Sequence, residues 1–132
     1  METVFWDVKA CADKILGECR EEVSRLQAFG IEPKLAIVRV GEKGPDLSYE
    51  KGALRTMKDA GIGTEVIALD ETVTQEEYID VLEKLSKDPK IHGILALRPL
   101  DRIDENEAIG KHLDPLKDVD ACTPGDMGRV LL

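Results

Sequence analysis

From Val8 the apolar residues fall at Val8, Cys11, Ile15, Cys19, Val23, Leu26 and Phe29, spaced by threes and fours. That spacing predicts an amphipathic helix, and Gly30 ends it because glycine accepts the left-handed conformation that closes a helix. KLAIVRV, Lys34 to Val40, is dense in β-branched residues and predicts a strand. GEKGPD is loop chemistry, and Asp46 or Ser48 is placed to cap a second helix by accepting its orphan backbone N–H bonds. That helix runs to Ala60 and stops at Gly61. TEVIALD, Thr64 to Asp70, predicts a second strand. Thr74 with Glu77 makes a capping box, and Tyr78, Leu82 and Leu85 give the third helix one apolar face before Pro89 closes it. HGILALR, His92 to Arg98, predicts a third strand ended by Pro99. A short helix with an acidic first turn, which suits the helix dipole, starts at Asp104. DPLKDVDACTPGD reads as a loop and MGRVLL as the start of another helix.

Strands alternating with helices imply an α/β domain of three layers, helices on both faces of a mainly parallel sheet, built from alternating βα units. Ligands of such sheets bind past the carboxyl ends of the strands. Three segments are therefore expected on one rim: GEKGPDLSY, LDETV and RPLDRID. The loop holding Asp118 and Asp120 is placed to close over it.

The 132 residues suit one domain, and with only 4% aromatic residues its core must be aliphatic. The net charge of -9 argues against a nucleic-acid surface, which needs clustered Lys and Arg. Cys11, Cys19 and Cys122 form no metal spacing and no CxxC pair. On one helix Cys11 and Cys19 stand about 12 Å apart, too far for a disulfide, as expected of reduced thiols. No segment approaches the ~20 apolar residues of a membrane span. METVFWDVKAC lacks the basic start and apolar run of a signal peptide, so a cytoplasmic protein with no membrane partner is expected. His92 and His112 have no second ligand at metal spacing and read as structural; no metal is expected. Leu54 and Met57 read as core.

Four stretches in order carry a resemblance: KLAIVRVGE, SYEKGALRTMKDAGI, HGILALRPLDRIDE and DPLKDVDACTPGDMGR. Together they resemble the folate-binding domain of the methylenetetrahydrofolate dehydrogenase/cyclohydrolase family, across nearly the whole chain. Lys117-Asp118-Val119-Asp120 after Asp114-Pro115 is the most specific piece. The resemblance implies a tetrahydrofolate derivative as substrate. It also implies NADP or NAD held by a Rossmann-type second domain, since this chain has no Gly-x-Gly-x-x-Gly and so no cofactor-binding residue of its own. The whole of 1–132 is then the folate-binding domain. The resemblance implies a dimer for the full enzyme, and an isolated domain that is monomeric and inactive in hydride transfer.

By the same resemblance Tyr49 stacks on the folate, where a flat ring gives contact area with few torsions to freeze. Asp120 reads the pterin, since a carboxylate accepts two parallel hydrogen bonds from an amino group and its neighbouring ring N–H. Tyr49 and Asp120 are the expected catalytic residues, and Pro99 and Leu100 shape the wall. Asp118 reads as a loop-folding acid. Arg98 has two readings of equal weight, a partner for a glutamate tail or an ion pair with Asp101 or Asp104.

Two departures bear on activity. The family pattern is Tyr-x-x-x-Lys, and the lysine position is Ala53. Lys51 follows Tyr49 by two residues, roughly 200° round a helix, and reads as a surface lysine rather than a displaced base. The family's Gln-Leu-Pro-Leu is here Leu97-Arg98-Pro99-Leu100, so the glutamine that would orient a lysine is gone too. Hydride transfer chiefly needs positioning. Hydrolysis of a methenyl group needs proton transfers. The expectation is dehydrogenation with weak or absent cyclohydrolase activity. Two other readings stand beside it: a non-catalytic folate-binding or regulatory module, and a generic flavodoxin-like interaction domain without a folate site.

Overall fold

The structure, a computed structural model, describes residues 2–98 and 100–119, with side chains from Asp13 onward. Pro99, Asp120, Cys122, MGRVLL and the side chains of Val8 and Cys11 lie outside the described residues. The elements run α1 (Glu2–Ala28), β1 (Lys34–Val40), α2 (Gly44–Ala60), β2 (Gly63–Leu69), α3 (Gln75–Lys87), β3 (Gly93–Ala96) and α4 (Glu105–His112). The strands form a parallel sheet in the order β2-β1-β3. This is the expected alternation of helix and strand.

Period-two alternation on β1 sorts its side chains onto two faces. Ala36 and Val38, with Ile94 and Ala96 of β3, meet Tyr78, Leu82 and Leu85 of α3 and Ala108 and Ile109 of α4 in the larger core. Leu35 and Ile37, with Leu95 and Leu97, meet Ala53, Leu54 and Met57 of α2. The helices thus cover both faces of the sheet.

Local chemistry explains the helix ends. Thr74 caps α3, accepting from the Glu77 N–H at 3.1 Å, while the Glu77 carboxylate reaches the Thr74 N–H. Thr74→Ala is expected to cost about 1 kcal/mol, measured by urea unfolding; an unchanged midpoint would show that the box contributes nothing. Asp104 caps α4 in one direction, its carboxylate accepting from the Glu107 N–H at 3.2 Å. Gly61 (φ 80°) closes α2, its N–H bonding the Lys58 carbonyl.

Four expectations change. Neither Asp46 nor Ser48 caps α2, which starts earlier, at Gly44, with no side-chain cap bond at Lys43. Pro45 presets the helical φ in the first turn, and Asp46 falls inside it, where its charge suits the dipole. The α1 stripe is not covered as a stripe: Val23 is buried, but Ile15, Leu26 and Phe29 are exposed, Phe29 at 83%. α1 packs along α2, where Arg20 Nε donates to the Asp59 carbonyl at 2.7 Å. β3 is four residues long rather than seven, although hydrogen bonds continue past it from His92 N–H to Lys34 O and from Leu97 N–H to Val38 O. The loop after α4 is partly a strand: Ile94 donates to the Lys117 carbonyl at 2.7 Å, and Val119 donates back to Ile94 at 3.4 Å. Residues 117–119 therefore extend the sheet in parallel beyond β3.

Candidate functional site

The turns after the three strands come together, but the expected rim is met only in part: Tyr49 and Arg98 lie outside its cleft, and residues 117–119 pair with Ile94 beside β3 rather than closing over it. Glu42 and Lys43 after β1, Glu71 and Val73 after β2, and Leu100 to Ile103 after β3 line a rim cleft of about 410 Å³. Lys43 Nζ meets Asp101 at 2.7 Å across it, and that hydrogen bond raises the lysine's pKa above its ordinary value. Asp70 accepts from the Thr72 N–H at 2.9 Å and hydroxyl at 2.8 Å, which lowers its pKa and folds the turn after β2.

Tyr49 is elsewhere. It stands on the first turns of α2, 57% exposed, on the sheet face opposite α3. There it lines an open, mostly apolar groove of about 730 Å³ with Ala53, Met57, Leu35, Leu95 and Val119. It also borders a smaller niche with Asp46, Leu97 and Arg98. The structure thus brings Tyr49 beside Ala53 and beside the Leu97-Arg98 turn. Leu100 it places apart, in the rim cleft, with its N–H bonded to the Glu105 carboxylate. Asp120 lies outside the described residues, but Val119, which precedes it, lines the Tyr49 groove. Lys51 is exposed and lines neither groove nor niche.

Ala53 and Leu97 belong to one apolar cluster with Leu35, Ile37 and Leu95. The two positions at which the resemblance expects a lysine and a glutamine therefore fall on one patch of wall.

Sequence reasoning missed what holds the 117–119 strand. Lys117 Nζ donates to the carbonyls of Leu85 and Asp88 at 3.2 and 2.8 Å, adding a second hydrogen bond to each, since they already accept from the Asp88 and Ile91 N–H groups at the end of α3. Gly93 lets the strand lie close, since a Cβ there would sit 2.9 Å from Val119 Cγ1. It also missed Arg39, whose Nε lies 3.2 Å from Glu50 Oε2 between β1 and α2. The signal was available: Arg39 follows Leu35 and Ile37 at period two, and Glu50 precedes Leu54 and Met57 at spacings of four and seven. Opposite charges on two apolar faces that meet are a pair. Both histidines make contacts within the fold. His92 Nδ1 accepts from the Lys34 N–H, and His112 Nδ1 meets Glu83 at 2.7 Å. Among the described residues no group of three or more His, Cys, Asp or Glu could hold a metal, and no helix is long and apolar enough to cross a membrane.

An open parallel α/β sheet carries an exposed tyrosine over an apolar groove beside its central strand, an architecture that defines the α/β class of domain. Residues 6–120 match the family described as tetrahydrofolate dehydrogenase/cyclohydrolase, catalytic domain, and the chain belongs to that family. It is 48% identical over 123 residues to the bifunctional protein FolD of Clostridioides difficile strain 630, covering 93% of this chain and 43% of that protein. Its fold matches the bifunctional FolD methylenetetrahydrofolate dehydrogenase/cyclohydrolase of Campylobacter jejuni with a TM-score of 0.88 and 32% identity, over 92% of this chain and 43% of that one. The Trypanosoma brucei methylenetetrahydrofolate dehydrogenase-cyclohydrolase, solved with NADP and an inhibitor, matches with a TM-score of 0.84 and 27% identity, over 92% of this chain and 41% of that one. The chain thus spans less than half the length of these relatives.

Proposed function

We propose that this chain is the folate-substrate domain of a methylenetetrahydrofolate dehydrogenase, with weak cyclohydrolase activity. The observation that carries the reading is Tyr49, held half out of α2 over an apolar groove whose lining includes the residue before Asp120. A pterin or aminobenzoyl ring lies against the phenol and the apolar wall, burying flat surface on both sides. The Asp120 carboxylate accepts two hydrogen bonds from the pterin and fixes its orientation. Arg98 borders the ring site and faces the glutamate tail, Leu100 shapes the neighbouring rim, and Pro99 keeps the wall role that the resemblance implies for it. The bulk of the work done by these residues is binding, orientation and exclusion of water.

The hydride acceptor is NAD or NADP, and this chain's residues do not fit it. The rim cleft carries Glu42, Glu71 and Asp101 against Lys43 and Arg102, and Lys43 is already paired with Asp101. Carboxylates there repel a pyrophosphate, and no Gly-x-Gly-x-x-Gly turn is present to cradle one. The nicotinamide site belongs to a second domain, which in the full enzyme also supports a dimer. Cyclohydrolase activity is weak because Ala53 and Leu97 leave an apolar wall where a lysine and its hydrogen-bond partner would move protons.

Calorimetric titration of the chain with tetrahydrofolate tests this reading. Saturable binding is expected, weakened roughly tenfold by Tyr49→Ala through lost ring contact, and weakened likewise by Asp120→Ala. Binding indifferent to both substitutions would sink the assigned site. The same folded chain failing to bind would favour a domain without a folate site of its own.

A further inference from the structure

Glu50 is the buried charged residue among those described, 7% exposed, and it is the neighbour of Tyr49 on α2. Its Oε2 takes one bond from Arg39 Nε at 3.2 Å, while its Oε1 is buried with no partner among the described residues. Arg39 spends a second donor, Nη1, on the Gly41 carbonyl at the end of β1. Both side chains are about nine-tenths buried, at 11% and 10% exposure.

Such a pair is a poor device for stability. Desolvating two charges costs several kcal/mol in general, and a half-satisfied carboxylate recovers less of it than a fully bonded one. An apolar pair at the same two positions would continue the Leu35, Ile37, Leu54 and Met57 packing around it. What the ions supply and an apolar pair does not is direction. A guanidinium fork meets a carboxylate in few geometries, whereas aliphatic contacts tolerate sliding.

Direction is what this end of α2 otherwise lacks. The helix begins at Gly44 with no side-chain cap bond. The Lys43–Asp101 pair at its mouth is well exposed to water, a setting in which ion pairs hold weakly. Tyr49 itself is more than half exposed. One residue along, Glu50 ties the same turn to the end of the central strand through Arg39, which is also tied to Gly41.

We infer that Arg39 and Glu50 are positioning residues, whose buried ion pair fixes the rotation and depth of the first turns of α2 and so sets the Tyr49 ring over its groove. The inference rests on the folate reading only for its ligand; the placement of the ring can be read without one.

The test uses the chain with Glu50→Gln, with the apolar pair Arg39→Leu/Glu50→Val, and with the reversed pair Arg39→Glu/Glu50→Arg. Three quantities are followed: the thermal midpoint, the aromatic NMR signals of Tyr49, and the Kd for tetrahydrofolate. The chain has only two tyrosines, and Tyr78, fully buried in the other core, reports that each variant is folded. The apolar pair is expected to hold or raise the midpoint while the Tyr49 signals shift and broaden and tetrahydrofolate binds about tenfold more weakly, a modest part of what misplacement can cost. Glu50→Gln, which leaves Arg39 buried without its counter-charge, should lower the midpoint while moving the Tyr49 signals and the affinity in smaller measure, and the reversed pair should recover part of both signals. If the apolar pair leaves the Tyr49 signals and the affinity as they were, the pair is mere packing and the inference is wrong. If the unsubstituted chain does not bind tetrahydrofolate, the folate reading fails, and the Tyr49 signals alone decide whether the pair positions the ring.

Discussion

Gly93→Val should detach the strand that leads to Asp120, at a cost of about 3 kcal/mol for forcing side-chain volume into a closed contact. A Cβ at residue 93 would stand 2.9 Å from Val119 Cγ1 and 3.2 Å from Leu35 Cδ1. Leu35 is 6% exposed in the α2-side core and cannot yield, whereas Val119 is 55% exposed and can. Relief therefore comes by lifting residues 117–119 off β3. The Ile94 N–H then loses the Lys117 carbonyl at 2.7 Å, and the Lys117 ammonium is drawn from the carbonyls of Leu85 and Asp88. Amide hydrogen exchange reads this directly: Ile94 should lose its protection while His92 and Leu97, bonded to β1, keep theirs. On the proposed function, tetrahydrofolate affinity should fall as well. An Ile94 amide still protected in the variant would mean that the strand has room the geometry denies it.

Comparison of pattern and structure shows where local signals suffice. Thr74 with Glu77, Gly61, and the run Tyr78, Leu82 and Leu85 each act within a turn or two, so their spacing alone located α3 and the end of α2. The parallel order followed from alternation, and the converging rim followed from the order. What escaped depends on distant partners. The α1 stripe has the right period, yet periodicity says that a face is apolar and not what covers it. The 117–119 strand is specified by β3, Gly93 and the end of α3, none of them near in sequence. The family resemblance drew attention to Tyr49 and Ala53, and the structure puts them on one groove wall. Resemblance said nothing of Arg39 and Glu50, because a charge inside an apolar pattern looks like a lapse until both faces are seen to meet.

On the proposed function, the largest gain should come from Ala53→Lys combined with Leu97→Gln, measured in the enzyme that includes its nicotinamide domain. Ala53 is one helical turn beyond Tyr49 on the groove wall, so a lysine there would extend along the groove towards the ring. Its surroundings, Leu35, Ile37 and Leu95, are apolar and would disfavour the ammonium form, lowering the amine's pKa towards neutrality. An acid or base titrating near the working pH is what hydrolysis of a methenyl group requires, and a placed group of that kind contributes about 10²- to 10⁴-fold. Glutamine at residue 97, in the same cluster, supplies the amine with a hydrogen-bond partner that the present wall lacks. The double variant should therefore consume methenyltetrahydrofolate at least about 10²-fold faster than the unsubstituted enzyme, with its rate rising as pH passes through the lysine's lowered pKa if the neutral amine is the base. Dehydrogenation, which depends on ring placement by Tyr49 and Asp120, should change little. Lysine alone should give less, since it would sit against Leu97 with no partner, and should also unfold at a lower temperature. An unsubstituted enzyme that already hydrolyses methenyltetrahydrofolate as fast as the double variant would show that this wall never limited the proton transfers.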